Sequence, residues 1–454
     1  MRANKFANFV LIGGLLLFGM ILAYALYRLI YDDPKTHIFV FAVISFVGMV
    51  ICLLALKLRQ DYKINLIITG FSIVFGVYLV EIFLFFASPP KRVELAQKMG
   101  SHFDTRTKLE VITELKEQGV DAVPSVYPSF LIKSDGYEWA IREKIFPVGG
   151  ISQKTTVLCN ESGKYAIYES DEHGFNNPKG LFEVDKIDLL LVGDSFTQGF
   201  CVAQEEDIAS QLRQMADVRV ISLGMGWNGP LIEFASLKEY GEPFRPKNVL
   251  WIYYEKNDLE GLKHEQQSPL LLKYRDSQFS QHLISRQSEI DSLLSQYVQK
   301  MTEKKRQAQK QIYIRGLPIV RLMHLRNKLK QILKPSIPPQ TTPSAQTWLL
   351  FTELLEKAKI STSSWGGQLY FVYLPSWPRY AKDVEQGTFH HRNRVLSIVK
   401  HLNIPIIDIH EKVFAVHPDP VSLFPLRIQG HYTSEGYRLV AQAIHTHLVS
   451  NNQK

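Results

Sequence analysis

A serine, an asparagine and a histidine, far apart in the chain, are of the types that acyl transfer requires. Ser195 ends the apolar run LLLVGDS, Asn257 follows WIYYEK, and His431 precedes the last amphipathic stretch. A serine hydroxyl becomes a nucleophile when a base such as histidine accepts its proton, and an amide can donate to the oxyanion that then forms. The sequence therefore predicts that Ser195 is a nucleophile and that His431 is its base.

Short apolar runs that alternate with amphipathic stretches must position these residues. From Ile187 onward the runs are IDLLLVG, VRVISLG and VLWIYY, followed further on by GQLYFVYLP and IPIIDI. This alternation is typical of βαβ units and predicts an α/β domain with a parallel sheet over residues 186–454. A helical, basic insertion at about residues 259–346 interrupts it. Ser195 and Asn257 then follow the carboxyl ends of strands, where active sites of open α/β sheets form.

Four segments of this domain resemble the conserved blocks of the SGNH, or GDSL-type, hydrolases. They are, in order, GDSFTQG, VISLGMGWNGP, WIYYEKNDL and IQGHYTSEGYRLVAQAI. The resemblance extends from Ile187 to the C-terminus, apart from the insertion. It implies a flavodoxin-like, three-layer fold and a serine esterase or acyltransferase. Thr197 stands where the α/β-hydrolase elbow needs glycine, which disfavours that other family.

The resemblance also implies an oxyanion hole. Its donors are expected to be the backbone N–H groups of Ser195 and Gly226 and the side-chain amide of Asn257. Because the second block is rich in glycine, Gly224 and Gly229 remain alternatives to Gly226.

The residue that orients the histidine departs from the family pattern. Members of the family usually place an aspartate two or three residues before the histidine, where this chain has Gln429 and Ile428. Gln429 can accept a hydrogen bond from the imidazole, or Asp408 can arrive from the end of IPIIDI, although a strand-end aspartate also has an ordinary structural role. Asp419 and Glu435 are further acids nearby. A Ser-His dyad with weak orientation is the leading expectation.

Three apolar stretches, Phe9–Tyr27, Ile38–Leu56 and Leu66–Ala87, occupy the first ninety residues. Each has about the twenty residues that span a bilayer, so residues 1–87 are predicted to be a membrane anchor of three helices, without a cleaved signal peptide. Basic residues at the N-terminus and between the second and third stretches predict that both lie in the cytoplasm. The expected location is the inner membrane, with residues 88–185, a mixed connecting region, and the α/β domain facing the periplasm or exterior.

Two cysteines, Cys159 and Cys201, lie outside the predicted spans. An oxidising compartment would permit them to form a disulfide, and Cys201 falls just after the GDS motif, where a covalent link would be useful. The alternative is two separate buried thiols.

Two other charged features have more than one interpretation. The segment Lys300–Lys334 is rich in basic residues and contains one acid, Glu303. It is either a solvated helix packed on the domain or a helix that contacts anionic lipid headgroups or an acidic glycan. Glu81 lies inside the third span, where an ionisable side chain either is functional or faces a neighbouring helix or the membrane interface.

The composition does not point to nucleic acid or a cofactor. A net charge of +8 is modest for 454 residues, and no phosphate-binding loop is present. The segments that begin at His264 and His410 lack the second histidine of a zinc HExxH site, so no metal is expected. The expected partners are the bilayer, an acylated glycan or lipid substrate and polysaccharide-assembly proteins. Two functions remain: an esterase or O-acyltransferase that acts through an acyl-serine, and an inactive glycan-binding or scaffold protein.

Overall fold

The structure is a computed structural model, which describes residues 2–31, 36–87, 90–133, 145–184, 186–314, 319, 322–333, 342–381 and 391–452. Two compact units make up the chain. The first contains residues 1–89 and 311–336, and the second contains residues 90–310 and 337–454.

The first unit contains three long apolar helices, α1 (Arg2–Tyr31), α2 (Thr36–Ala55) and α3 (Gln60–Ala87). Each contains a stretch long and apolar enough to cross a membrane: Lys5–Ile30, Ile38–Ala55 and Gln60–Ala87. Many of their phenylalanine, leucine and isoleucine side chains are exposed, as expected for helices whose surfaces contact lipid rather than water. The prediction of three membrane-spanning helices agrees with these lengths and compositions.

The second unit begins with a small mixed sheet. Its elements are α4 (Lys91–Lys98), α5 (Lys108–Glu117), β1 (Ala122–Pro124), α6 (Phe130–Lys133), β2 (Thr155–Cys159) and β3 (Ala166–Glu169). β1 pairs with β2 in parallel, and β2 pairs with β3 in antiparallel orientation. Val111 and Ile112 of α5 pack on Ala122 and Val157, so the helix covers one face of the small sheet.

A sheet of five parallel strands follows, as the sequence predicts. The strands are β4 (Leu189–Gly193), β5 (Val220–Ser222), β6 (Asn248–Tyr254), β7 (Gln368–Leu374) and β8 (Ile406–Asp408), in the order β5-β4-β6-β7-β8. Each coincides with one of the five apolar runs. They are almost wholly buried, which explains why they read as continuous apolar runs rather than as an alternating pattern.

Helices pack against both faces of the large sheet. They are α7 (Ser195–Gln198), α8 (Ile208–Ala216), α9 (Pro230–Ser236), α10 (Asp258–Glu265), α11 (Pro269–Leu272), α12 (Gln287–Ile314), α14 (Ala345–Ser364), α15 (Arg392–His401) and α16 (Ser434–Asn452). The remaining helix, α13 (Met323–Leu333), belongs to the first unit. Leu190 and Val192 of β4 enter a core shared with α9 and α14, whereas Leu189 and Leu191 enter a second core shared with α8 and α16. Alternate strand residues therefore bury against different helices.

The first part of the predicted insertion contributes side chains to the core of the α/β domain. Leu283, Ile290 and Leu294 are fully or nearly fully buried in the same cluster as the strands. Further on, α12 ends at Ile314 and α13 begins at Met323. Gly316 and Pro318, which are of the residue types that interrupt helices, lie between them in the sequence and outside the described residues.

Candidate active site

The nucleophile position is built by the sharp turn from β4 into α7. A Cβ atom on Gly193 would lie 2.1 Å from Thr197 Oγ1 and 2.7 Å from the Ile252 carbonyl oxygen, so the turn has room for glycine only. Asp194 then caps α7 by accepting a hydrogen bond from the Phe196 N–H at 2.9 Å. Ser195 is thereby held at the first position of α7, beyond the carboxyl end of a buried strand.

The structure brings Ser195 and His431 together, although 236 residues separate them. His431 Nε2 lies 2.8 Å from Ser195 Oγ, which is hydrogen-bonding distance for proton transfer. Phe196 and Phe200 pack on the imidazole, with ring centroids 4.6 and 4.4 Å away. Both phenylalanines belong to the GDSFTQGF segment, so the segment that contains Ser195 also positions the His431 ring.

Glu161, from the loop between β2 and β3, occupies the far side of the imidazole. Its Oε1 lies 3.3 Å from His431 Nδ1, a distance that becomes an ion pair when the imidazole takes up a proton, and its Oε2 accepts a hydrogen bond from the His431 backbone N–H at 2.8 Å. Arg92 donates to the Glu161 carbonyl oxygen at 2.7 Å and lies 3.5 Å from its carboxylate. Ser195, His431 and Glu161 thus stand in the order of a nucleophile, a base and an orienting acid.

The charge of Glu161 suits this arrangement. Burial by itself raises the pKa of the carboxyl group, but the hydrogen bonds and the charge of His431, with the charge of Arg92, outweigh it and lower the pKa below its ordinary value. The group is therefore an ionised carboxylate near neutral pH, as needed to stabilise an imidazolium.

Neither residue predicted to orient the histidine is in that position. Gln429 is exposed, and its backbone carbonyl accepts a hydrogen bond from Arg92 at 3.1 Å. Asp408 ends β8 and forms an ion pair with Arg392, so its strand-end structural role is the correct interpretation. Glu161, rather than either of these residues, contacts the imidazole. Sequence reasoning missed Glu161 because this residue lies outside the segment that resembles the family.

The glycine-rich loop after β5 differs from expectation in its hydrogen bonds. The Gly226 N–H, the predicted oxyanion donor, donates to Gln198 Oε1 at 2.8 Å, and the Gly229 N–H donates to Glu265 Oε1 at 2.6 Å. Gly224 packs against α7, since a Cβ there would lie 2.4 Å from the Gln198 nitrogen. The Gly226 N–H therefore already donates a hydrogen bond to a side chain of the GDSFTQG segment, instead of facing an oxyanion.

Asn257, the predicted side-chain donor, lies on the nucleophile's side of the sheet edge. Its Nδ2 donates to Asp194 Oδ2 at 3.2 Å, and the same carboxylate oxygen lies 3.3 Å from Ser195 Oγ. Asp194 is fully buried, and burial raises its pKa. The amide is thus next to the serine, as the motif order predicts.

A disulfide ties the small sheet to the nucleophile's helix. Cys159 and Cys201 are bonded, with a Cα separation of 5.2 Å, as the sequence predicts. Glu161 follows two residues after Cys159, so the bond fixes the loop that carries the acid. The sulfur of Cys201, although near Glu161 and His431, is engaged in this bond and is not a thiolate ligand for a metal.

The segment SDEHGFNN also connects the small sheet to the large one. Asn176 donates to the Gln198 carbonyl oxygen at 2.8 Å, and Asn177 donates to Asp171 and to the Ser222 carbonyl oxygen. Both asparagines are buried. Their hydrogen bonds hold the loops between the two sheets together.

Aromatic side chains lead from the imidazole to the surface. Tyr127 lies 5.9 Å from Phe200, Phe130 lies 5.2 Å from Tyr127, and Trp227 lies 5.8 Å from Phe130, as ring centroids. Phe130 and Trp227 are 41% and 54% exposed. We refer to Tyr127, Phe130 and Trp227 as the aromatic rim. It offers apolar contact area beside the His431 imidazole.

Comparison with known proteins gives matches at the level of structure alone. The chain matches no protein-family model and no curated protein. Similar solved structures include a lipase/acylhydrolase from Enterococcus faecalis (13% identity, 58% of this chain, 96% of that chain, TM-score 0.34) and the acetyl xylan esterase AlAXEase (12%, 57%, 98%, 0.33). A member of the lipolytic protein G-D-S-L family from Veillonella parvula DSM 2008 is similar too (10% identity, 57% of this chain, 97% of that chain, TM-score 0.31).

Proposed function

We propose that this protein is an SGNH-type serine esterase or O-acyltransferase that works through an acyl-serine intermediate. The observation that carries the proposal is the contact between Ser195 Oγ and His431 Nε2 at 2.8 Å, with the Glu161 carboxylate at the other imidazole nitrogen. The strand order β5-β4-β6-β7-β8 is also the flavodoxin-like order that this family is expected to have.

The geometry supports a two-step reaction. His431 accepts the hydroxyl proton as Ser195 Oγ attacks the ester carbonyl, and it returns the proton to the leaving alcohol as the acyl-serine forms. Water or a sugar hydroxyl then attacks the acyl-serine, and His431 again accepts the attacking proton and returns it to Ser195. Glu161 stabilises the imidazolium in both steps. The Ser195 N–H and the Asn257 amide are the proposed oxyanion donors, each typically worth about 3–4 kcal/mol.

The proposed substrate is an acyl ester, such as an acetyl ester, of a glycan or lipid outside the cytoplasm. The aromatic rim supports this class, because aromatic faces pack against apolar ligand surfaces, including the C–H faces of sugars. The charge distribution around the apolar spans supports an external location. A reporter fused after Lys454 is expected to be active only if it requires the periplasm, and activity of a reporter that requires the cytoplasm would contradict this orientation.

The second candidate is an inactive protein that binds glycan or organises an envelope assembly. It was favoured by the absence of the aspartate that the family usually places before the histidine. Glu161 fills the position of that acid with an ionised carboxylate, which removes the main reason to favour an inactive protein. We therefore place the enzyme first.

The test is ester turnover by the full chain purified in detergent. Acetyl, butyryl and longer acyl esters of p-nitrophenol are compared with an acetylated oligosaccharide, and Ser195→Ala is the blank. We expect Ser195-dependent release of a short acyl group. Acyl transfer to an added sugar at the expense of free acid would identify a transferase, whereas turnover that is equal in the blank would end the esterase proposal.

A substitution in the aromatic rim tests whether the rim binds the carrier of the acyl group. Trp227→Ala is expected to raise KM for the oligosaccharide by about tenfold while leaving KM for p-nitrophenyl acetate within twofold, because only the larger substrate reaches the rim. Equal effects on both substrates would show that the rim does not bind the carrier of the acyl group.

A further inference from the structure

A buried acid lies within the last membrane-spanning helix. Glu81 belongs to α3, and its side chain is fully buried. An ionised carboxylate without partners is costly at membrane depth, so a residue there is expected to have a specific partner. Ala87, the last residue of α3, is six positions further along, or about 9 Å along the helix axis. Glu81 therefore lies close to the end of the span from which the chain continues into residues 90–454.

The partner of Glu81 is the first turn of α13. Glu81 Oε1 accepts a hydrogen bond from the His324 backbone N–H at 2.9 Å and lies 2.9 Å from His324 Nδ1. Glu81 Oε2 accepts a hydrogen bond from the Leu325 backbone N–H at 2.7 Å, and the Phe85 and His324 rings are 5.2 Å apart. The carboxylate thus satisfies N–H groups that a helix leaves unpaired at its start, and it faces the positive end of the helix dipole. Helix α13, whose His324 follows Glu81 by 243 residues in the sequence, is thereby fixed to the membrane anchor.

The composition of α13 suits a membrane surface. The helix MHLRNKLKQIL contains Arg326, Lys328 and Lys330, all exposed, and no acid. At about 100° per residue, Leu325 and Leu329 share one face, Arg326 and Lys328 flank that face, and Asn327 lies opposite. Leu329 is 46% exposed. An apolar face bordered by basic residues is the pattern of a helix that lies in the interface between acyl chains and headgroups.

We propose that α13 is a second membrane-anchoring element, which lies at the bilayer surface and binds the phosphate groups of anionic phospholipids through Arg326, Lys328 and Lys330. Glu81 sets its depth by holding its N-terminus near the end of α3. The occupant is lipid rather than an acidic glycan, because the exposed leucine lies between the two flanking basic residues and needs an apolar medium. The proposal is independent of ester chemistry.

The first test measures anionic lipid binding to the full chain. Phosphatidylglycerol is titrated into the detergent-purified protein, and bound lipid is counted by native mass spectrometry. Changing Arg326, Lys328 and Lys330 together to Gln should weaken the tightest lipid binding by about a hundredfold, from the usual contribution of a basic residue at an anionic surface. The matched control changes Lys304, Lys305 and Arg306 of α12 to Gln, which removes the same charge, and should bind within twofold of the parent.

The second test measures depth. In a Cys52→Ser background, a fluorophore is attached to Leu329→Cys or to Asn327→Cys in nanodiscs that contain spin-labelled lipid. We expect strong quenching at position 329 and weak quenching at position 327. The proposal would be overturned if the two triple variants bound lipid with equal affinity, or if quenching were equal at both positions. It would also be overturned if millimolar inorganic phosphate or an acidic oligosaccharide competed as effectively as lipid.

Discussion

The two sheets of the α/β unit contribute different parts of the same site. The large parallel sheet positions Ser195 and, at the start of the last helix, His431, whereas the small sheet carries Glu161. The contribution of the large sheet follows a motif order that is recognisable in the sequence. The contribution of the small sheet has no such signal. Completion of the site therefore depends on how a segment outside the motifs is attached to the large sheet.

Loss of the large sheet's residues should have the largest effect. Ser195→Ala and His431→Ala are each expected to lower kcat by roughly 10⁴- to 10⁶-fold, and the double variant should be no worse than either, because both remove one proton-transfer unit. Steady-state kinetics on a small acetyl ester measures this. Losses that multiply in the double variant would show that the two residues act independently.

Loss of the small sheet's acid should come next. Glu161→Gln keeps the size of the side chain but removes the charge that stabilises the imidazolium, so kcat should fall by about 10²- to 10⁴-fold with little change in KM. Asp419→Asn is a matched control, since this acid is near the histidine in sequence but pairs with Arg427. An unchanged kcat in Glu161→Gln would restore the dyad.

The pKa of Glu161 gives the same comparison a pH dependence. The pKa of Glu161 is lower in the folded protein than in the unfolded chain, where it is about 4.3. The ionised carboxylate therefore stabilises the fold at pH values above the pKa of the unfolded chain. This stabilisation is lost as the pH falls through the lower pKa of the folded protein. Thermal unfolding of the parent and of Glu161→Gln should therefore differ at pH 7 and converge in strong acid. A difference that persists unchanged at low pH would contradict the lowered pKa.

The disulfide tests whether the attachment of the two sheets matters. The bond closes a loop of 42 residues, and in the chain-entropy model its removal costs about 4 kcal/mol. Cys159→Ser with Cys201→Ser should lower the free energy of unfolding by about this amount. Activity should fall by about 10- to 100-fold at temperatures where the protein stays folded, since the loop that carries Glu161 loses its tether. Full activity in a folded, reduced protein would show that the other contacts between the sheets suffice.

The residues first expected to orient the histidine should give the smallest effects. Gln429→Ala removes an exposed side chain, and Asp408→Asn weakens an ion pair with Arg392 away from the imidazole. Both variants should keep kcat within about twofold of the parent. A large loss in Gln429→Ala, measured in the same ester assay, would mean that this side chain moves to the imidazole during turnover.

Much of this organisation is predictable from the sequence for physical reasons. Buried parallel strands read as continuous apolar runs, so the five strands and the residues at their carboxyl ends could be placed, and the membrane helices follow from length and hydropathy. The cysteine pair could be predicted from the oxidising compartment that the sequence leads us to expect for this part of the chain. Glu161 could not be found, because its role depends on a tertiary contact with His431, 270 residues away. The same reason applies to Gln198, which takes the Gly226 N–H, and to Glu81, whose partner is a distant helix.

The most direct measurement is the rate at which a fluorophosphonate probe labels the full chain, followed by intact mass and peptide mapping. We predict one adduct, on Ser195, with no adduct in Ser195→Ala and labelling about a hundredfold slower in Glu161→Gln at neutral pH, because the probe reports the nucleophile that His431 and Glu161 activate together. An adduct on another residue, or equal labelling rates in the parent and in Glu161→Gln, would contradict a triad assembled from the two sheets.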